Sequence, residues 1–195
     1  MISLLFMNYL YNLPKSFKPK FKFDLIRLGR NNDGGYLVGK NTIKNTEILL
    51  SFGIFDDWSF EKDFQKKNKL SNILMFDNQL DNLFLLKRLI SQKYIKQKLI
   101  SIKNLLEFNF FMKKKTIKKK ITQYEFELIL SKFKKNIFIK IDIEGDEYQL
   151  LKKIIKYKKK LSGIAIEFHL ADINIKRISS FFGNLNFFIT NVHIN

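Results

Sequence analysis

Cysteine is absent from the chain, which rules out structural disulfides and thiolate metal sites. Nothing then requires an oxidising compartment, and the cytoplasm is the expected location. Proline and histidine are scarce, two of each in 195 residues. Long apolar runs are missing too. Residues 1–13 form an apolar, aromatic stretch, but it is too short to span a bilayer and lacks the basic flank and small-residue cleavage site of a secretory leader. It reads as a leading helix, followed by a loop at Pro14 and Pro19, so that 1–24 is an N-terminal helix and loop and 25–195 one domain. Weak association with a membrane surface is the alternative use of that helix.

Acidic residues are few beside basic ones, 18 against 36, and the formal charge of +18 would ordinarily point to nucleic acid. The excess is mostly lysine, in company with abundant asparagine, isoleucine and phenylalanine, the drift of an AT-rich coding sequence. The runs 113–115, 118–120 and 158–160 carry no interleaved aromatics or arginine forks. Solvated surface charge is the expected reading, and a nucleic-acid partner is not expected.

What is present is a strand that ends in acids. Asn136-Ile137-Phe138-Ile139-Lys140-Ile141 reads as a strand buried on both faces, and Asp142-Ile143-Glu144-Gly145-Asp146-Glu147 follows at once. In open α/β sheets ligands bind at the carboxyl ends of the strands, so Asp142 and Glu144 are the first candidates for chemistry. Glu47 to Gly53 and Asn72 to Asp77 repeat the pattern, one closing on glycine and the other on an acid. Gly53 precedes a helix for which Asp56, Asp57 or Ser59 is a plausible N-cap, an arrangement that lets a ligand approach backbone and helix N-terminus. Asp77 suits two roles, accepting hydrogen bonds from ribose hydroxyls or capping the helix that begins near Leu80.

Lys98 to Ile102 reads as a third strand, and a helix is expected from Thr122 to Lys135. A helix after Asp146, a strand Gly163 to His169, a helix from Asp172 stopped by Gly183 and a last strand Phe187 to Ile194 complete the series. Both histidines, His169 and His193, fall at the ends of strands, near Asp142 and Glu144, and are candidates for a role in catalysis or metal binding. Between Leu28 and Val38, Gly29, Gly34 and Gly35 mark either a hairpin turn or a loop in which Arg30 and exposed amides meet a ligand. Strands alternating with helices describe an α/β, doubly wound, mostly parallel sheet with a site along one edge.

Four motifs together resemble the FkbM-type methyltransferase family, over about residues 25–195: Gly29-Arg30-Asn31-Asn32-Asp33-Gly34-Gly35-Tyr36, Leu50-Ser51-Phe52-Gly53 with Ser59-Phe60-Glu61, Lys140-Ile141-Asp142-Ile143-Glu144-Gly145-Asp146-Glu147, and Asn191-Val192-His193. The resemblance implies a Rossmann-like fold and S-adenosylmethionine-dependent methylation of a hydroxyl on a sugar or other small metabolite. By the same resemblance Gly53 would hold the methionine part of the cofactor and Asp77 the ribose. Asp142 would lie beside the sulfonium, with Arg30, Asp33, Gly34, Gly35, Ser59 and Glu61 completing the cofactor set. The chain departs from the family in ending its first strand Ser-Phe-Gly, and in stopping soon after His193, so a shortened chain lacking its last strand is expected.

Methyl transfer to a hydroxyl requires in-line positioning and a base. Asp142, Glu144 and His169 are the candidates, with His169 best matched in pKa if partly exposed. A divalent cation on Asp142 and a histidine is the alternative way to lower the hydroxyl pKa. The rival function is a basic nucleic-acid-binding protein, or an RNA-directed methyltransferase, on the same fold.

Overall fold

The computed structural model describes residues 2–6, 17–31 and 34–194, with side chains described for 17–31 and 34–192. The fold is built on short runs of Ile, Leu and Phe that can be satisfied only by burial on both faces. In β4 (Ile48–Phe52) and β7 (Ile137–Ile141) every residue is buried. Their neighbours are β5 (Asn72–Asp77), β6 (Thr116–Lys118) and β8 (Leu161–Phe168). With β1 (Ile2–Phe6) and β9 (Ile189–Ile194) they form one seven-stranded sheet of order β6-β5-β4-β7-β8-β1-β9. Every adjacent pair in that sheet is parallel.

Alternation along each strand divides the core into two layers. On one face Ile48, Leu50 and Phe52 of β4 and Ile137, Ile139 and Ile141 of β7 meet α5 (Gln123–Lys132), α6 (Glu147–Tyr157) and α7 (Ala171–Leu185). On the other, Leu49 and Phe138 meet Ile43 of α1 (Lys40–Lys44), Phe60 and Phe64 of α2 (Ser59–Lys67) and Leu85 of α3 (Asn82–Ser91). Phe108 and Met112, at the end of α4 (Ile95–Glu107) and in the π-helical turn after it, close that layer. The chain is therefore a doubly wound, Rossmann-like α/β domain. A two-stranded antiparallel hairpin, β2 (Leu25–Leu28) and β3 (Tyr36–Gly39), carries the glycine-rich loop 29–35 at its tip. Among the described residues no helix is long and apolar enough to cross a membrane.

Three expectations are corrected. Ile2–Phe6 is not part of a leading helix; it is a strand inserted in register between β8 and β9. A run of five mostly apolar residues is too short to show a period that distinguishes the two, and the open edge of β8 supplies the pairing partner. With this segment the sheet has seven strands. Lys98 to Ile102 is helical, inside α4, because its inward positions continue as Ser101, Leu105, Phe108 and Met112 at helical spacing. Gly183 does not stop α7, which runs to Leu185 and ends at Asn186 in the left-handed conformation (φ 56°).

α5 opens with a capping box, Thr122 and Glu125 each bonding the other's main chain. It is tied to α6 by Glu127, whose carboxylate is gripped by both Lys153 and Lys156. Those two ammonium groups hold its pKa down at about 2. A depressed carboxyl pKa contributes stability above the unfolded value and loses it as the pH falls through the folded one. The melting temperature of Glu127→Gln should therefore lie modestly below wild type at neutral pH, and the gap should close between about pH 4.5 and 2. An equal gap at all pH values in calorimetric melts would refute this linkage.

Candidate active site

The order of strands reverses between β4 and β7: β5 and β6 lie to one side of the pair and β8 to the other. Loops leaving two such strands diverge and open a crevice. The residues that leave them are Gly53 and Asp142. Gly53 has φ 76°, and a Cβ on it would lie 1.6 Å from the carbonyl oxygen of Asp142. Only glycine can stand there. Beside the expected access of a ligand to its backbone, this glycine has a structural reason: the two loops are pinched main chain to main chain. Gly53 N–H donates to Phe76 O at 2.9 Å, Asp142 N–H donates to Phe52 O at 3.0 Å, and Lys140 Nζ donates to Gly53 O at 2.7 Å.

A cleft of about 560 Å³ opens above this point, within the range of small-ligand sites. It gathers Arg30, Gly34, Gly53, Asp77, Asp142 and Glu144 from the sequence-derived set. Arg30 is paired with Asp57 at 2.9 Å, and a Cβ on Gly34 would meet the same carboxylate. Gly35 is buried behind the loop, packed on the carbonyl of Arg30, and does not line the cleft. Asp33 lies outside the described residues.

Asp77 sits on the cleft wall, but both of its oxygens are occupied. Oδ2 accepts from the amides of Ile54 and Phe55 at 2.9 and 2.8 Å, and Oδ1 from those of Gln79 and Leu80 at 2.7 and 2.8 Å. A carboxylate has about four acceptor positions, and four amides fill them. The residue is thus an anchor for the loops after β4 and β5, which corrects its expected role as a free acceptor for ribose hydroxyls.

At the other end, the turn after β7 puts Glu144 at φ 53°, followed by Gly145 at φ 100°. This aims Glu144 toward His169, at the tip of the adjoining β8. His169 Nε2 lies 3.3 Å from Glu144 Oε2 and 3.9 Å from Asp142 Oδ1. Behind the ring, Nδ1 faces Glu147 Oε1 at 3.5 Å, too long for a well-formed hydrogen bond and so mainly an electrostatic contact. Glu147 is fully buried at the start of α6 and accepts the amides of His169 and Gly145 at 2.7 and 2.8 Å. Contact with Glu147 raises the His169 pKa, burial opposes, and the charges of Glu147, Glu144 and Asp142 complete a rise to about 9. The ring is then protonated at neutral pH and serves as a donor, so the expectation of a His169 matched for general-base work is corrected. Asp142, Glu144 and His169 also bring one ligand atom each within 4.8 Å of one another, a set able to hold a divalent cation. His193 is on β9, with β8 and β1 between it and β7, roughly 14 Å away at ordinary strand spacing.

Beneath the cleft lies a buried polar network that sequence reading passed over. Lys140 is 4% exposed, 3.6 Å from Asp142 Oδ2 and 5.9 Å from the ring centre of Tyr36. Glu61 is buried on α2, accepts a short bond from Ser51 and lies in the field of Lys140; burial raises its pKa, and Lys140 and Ser51 pull it back. Its expected place among cofactor ligands is corrected: it does not reach the cleft. Ser59 likewise lines a neighbouring cavity and not this one. Tyr36, which follows Gly34 and Gly35, is buried and its OH donates to Glu167 at 3.2 Å. A lysine within Ile-Phe-Ile-Lys-Ile was the signal available for this network. Arg88, paired with Asp56 and 4.7 Å over the Phe55 ring, forms the remaining wall and had no signal of its own.

The lining holds six carboxylates (Asp56, Asp57, Asp77, Asp142, Glu144, Asp146) against four cations (Arg30, Arg88, Lys120, Lys140). Each of the four cations is paired with an acid of the lining, which leaves an excess of two carboxylates and a local balance that favours a cationic ligand such as a sulfonium. On size and charge the residues present fit S-adenosylmethionine.

Asp77→Ala should lower unfolding free energy by about 3 kcal/mol, since it strips several buried amides of a charged acceptor. Asp77→Asn, with one carbonyl oxygen, should fall between. Denaturant melts of Asp77→Ala superimposable on wild type would contradict the anchoring role.

No protein-family model, curated protein or solved structure matches the chain.

Proposed function

We propose that the chain is an S-adenosylmethionine-dependent methyltransferase acting on a hydroxyl of a sugar or another small metabolite. The observation that carries this reading is the acidic cleft at the point where strand order reverses, floored by the Gly53–Asp142 contact. When bound, the cofactor supplies an electrophilic methyl group on a positively charged sulfur. Asp142, at the base of the cleft, offers that charge a carboxylate partner within a wall that is acidic overall. Lys140 at 3.6 Å from below and His169 at 3.9 Å from the side are electrostatic neighbours of Asp142 at the base of the cleft.

An acceptor hydroxyl must lose its proton as its oxygen bonds carbon. Glu144, exposed at the rim, takes that proton in this account, and protonated His169 at 3.3 Å keeps the carboxylate in place. A divalent cation on Asp142, Glu144 and His169 is the second reading, favoured by the convergence of their ligand atoms; it would lower the hydroxyl pKa directly. The rival nucleic-acid function is disfavoured by the excess of carboxylates in the cleft.

Calorimetric titration with S-adenosylhomocysteine in the presence of chelator tests the cofactor site. Wild type should bind, Asp142→Asn should bind S-adenosylmethionine about ten-fold more weakly, and Glu144→Gln should keep binding. If wild type takes up neither adenosyl compound while its fold is intact by circular dichroism, the proposal fails. Adding manganese then separates the two acceptor mechanisms: heat uptake in wild type, lost in Glu144→Gln, supports the cation, and none supports direct proton transfer.

A further inference from the structure

The outer surface of the α3–α4 hairpin is apolar where a solvated helix pair should be polar. Along α4 and the turn after it, Ile95, Leu99, Ile102, Leu106 and Phe110 recur at spacings of four, three, four and four, one continuous ridge on the helix. All five are exposed, Ile95 by 78% and Phe110 by 76%, while the inward side of the same helix is Ser101, Phe108 and Met112. On the neighbouring α3, Leu83 and Ile90 are also open to solvent, the latter 79% exposed. Contiguous apolar surface of this kind marks something that covers it.

Charge identifies the cover. Residues 82–115 contain nine basic residues and a single acid, Glu107. Glu107 is turned inward to Trp58 Nε1 at 3.1 Å and Lys62 at 2.9 Å, so it does not offset the surface. At about 100° per residue, Lys96 and Lys103 project along one flank of the ridge and Lys98 along the other. Lys87, Lys93, Lys96, Lys98, Lys113 and Lys114 are exposed, and none forms an ion pair among the described residues. A second copy docking through the same ridge would bring these lysines against themselves. Single-stranded nucleic acid would use the cations but has no use for an aliphatic ridge. An anionic bilayer surface satisfies both, the ridge entering the headgroup boundary and the lysines reaching the phosphates.

We infer that the outer face of α3–α4 docks the protein on anionic phospholipid membranes. The hairpin that carries the docking face packs against the cleft through its opposite, inward side. Asn104 of α4 donates to the carbonyl of Asp56 at 2.9 Å, and a cavity of about 520 Å³ between α2 and this hairpin shares Arg30, Asp56, Asp57 and Arg88 with the cleft. The inference itself does not depend on methyl transfer.

Flotation of the full chain with vesicles tests it. The protein should float with phosphatidylcholine vesicles containing phosphatidylglycerol and much less with phosphatidylcholine alone. Leu99→Glu combined with Phe110→Glu, and separately Lys96→Glu with Lys98→Glu, should each weaken binding about ten-fold or more. These side chains are exposed, so melts should stay near wild type. A charge-matched control, Lys152→Glu with Lys176→Glu on α6 and α7, should retain most of the binding. The inference is overturned if wild type does not bind the anionic vesicles, or if the control loses as much as the ridge variants. It is also overturned if wild type is a dimer in sedimentation that Leu99→Glu with Phe110→Glu converts to monomer, since a second copy would then cover the ridge.

Discussion

The contact between the main chain of Gly53 and that of Asp142 governs the site. Two neighbouring parallel strands end at the same height, and their loops must part to opposite sides of the sheet. At their point of departure they touch, with no room for a Cβ between them. The cleft is what remains above that pinch. Asp77 fixes its outer side by holding four amides of the two loops after β4 and β5, and the Glu147–His169 pair fixes its inner side through α6 and β8.

Holding this geometry requires charge in a place that disfavours it. Lys140 is buried in the middle of the sheet, and a buried ammonium is tolerated only with close acceptors. It has the Gly53 carbonyl, the Asp142 carboxylate and the field of Glu61. An apolar residue at 140 would pack well but would leave Glu61 buried without a counter-charge and Asp142 without its lower partner. The polar network is therefore a positioning device beneath the cleft, and the cluster of Asp142, Glu144 and His169 is its exposed continuation.

Much of this was legible in the sequence, and the failures have physical causes. β4, β5 and β7 were readable because strands buried on both faces are continuous apolar runs with abrupt polar ends, and their tips did converge. Ile2–Phe6 and Lys98–Ile102 were misassigned in opposite directions, one a strand taken for helix and the other a helix taken for strand, because five apolar-rich residues carry no usable period. Asp77 was placed at the cleft correctly, yet its lone pairs are consumed by amides whose approach depends on how two loops fold, which no local pattern encodes. Glu147 lies in the first turn of α6, where an acid is favoured by the helix dipole alone; its grip on His169 depends on β7 and β8 being adjacent, a long-range fact. Lys140 was visible all along as a cation inside an apolar strand.

The central claim is that an adenosyl cofactor lies across the tips of β4 and β7. Ultraviolet cross-linking of methyl-tritiated S-adenosylmethionine, followed by peptide mapping, addresses it most directly. The account predicts label in the peptides spanning 53–57 or 140–146, and its competition by S-adenosylhomocysteine. Label confined to peptides elsewhere in the sheet, or label insensitive to the competitor, would contradict it.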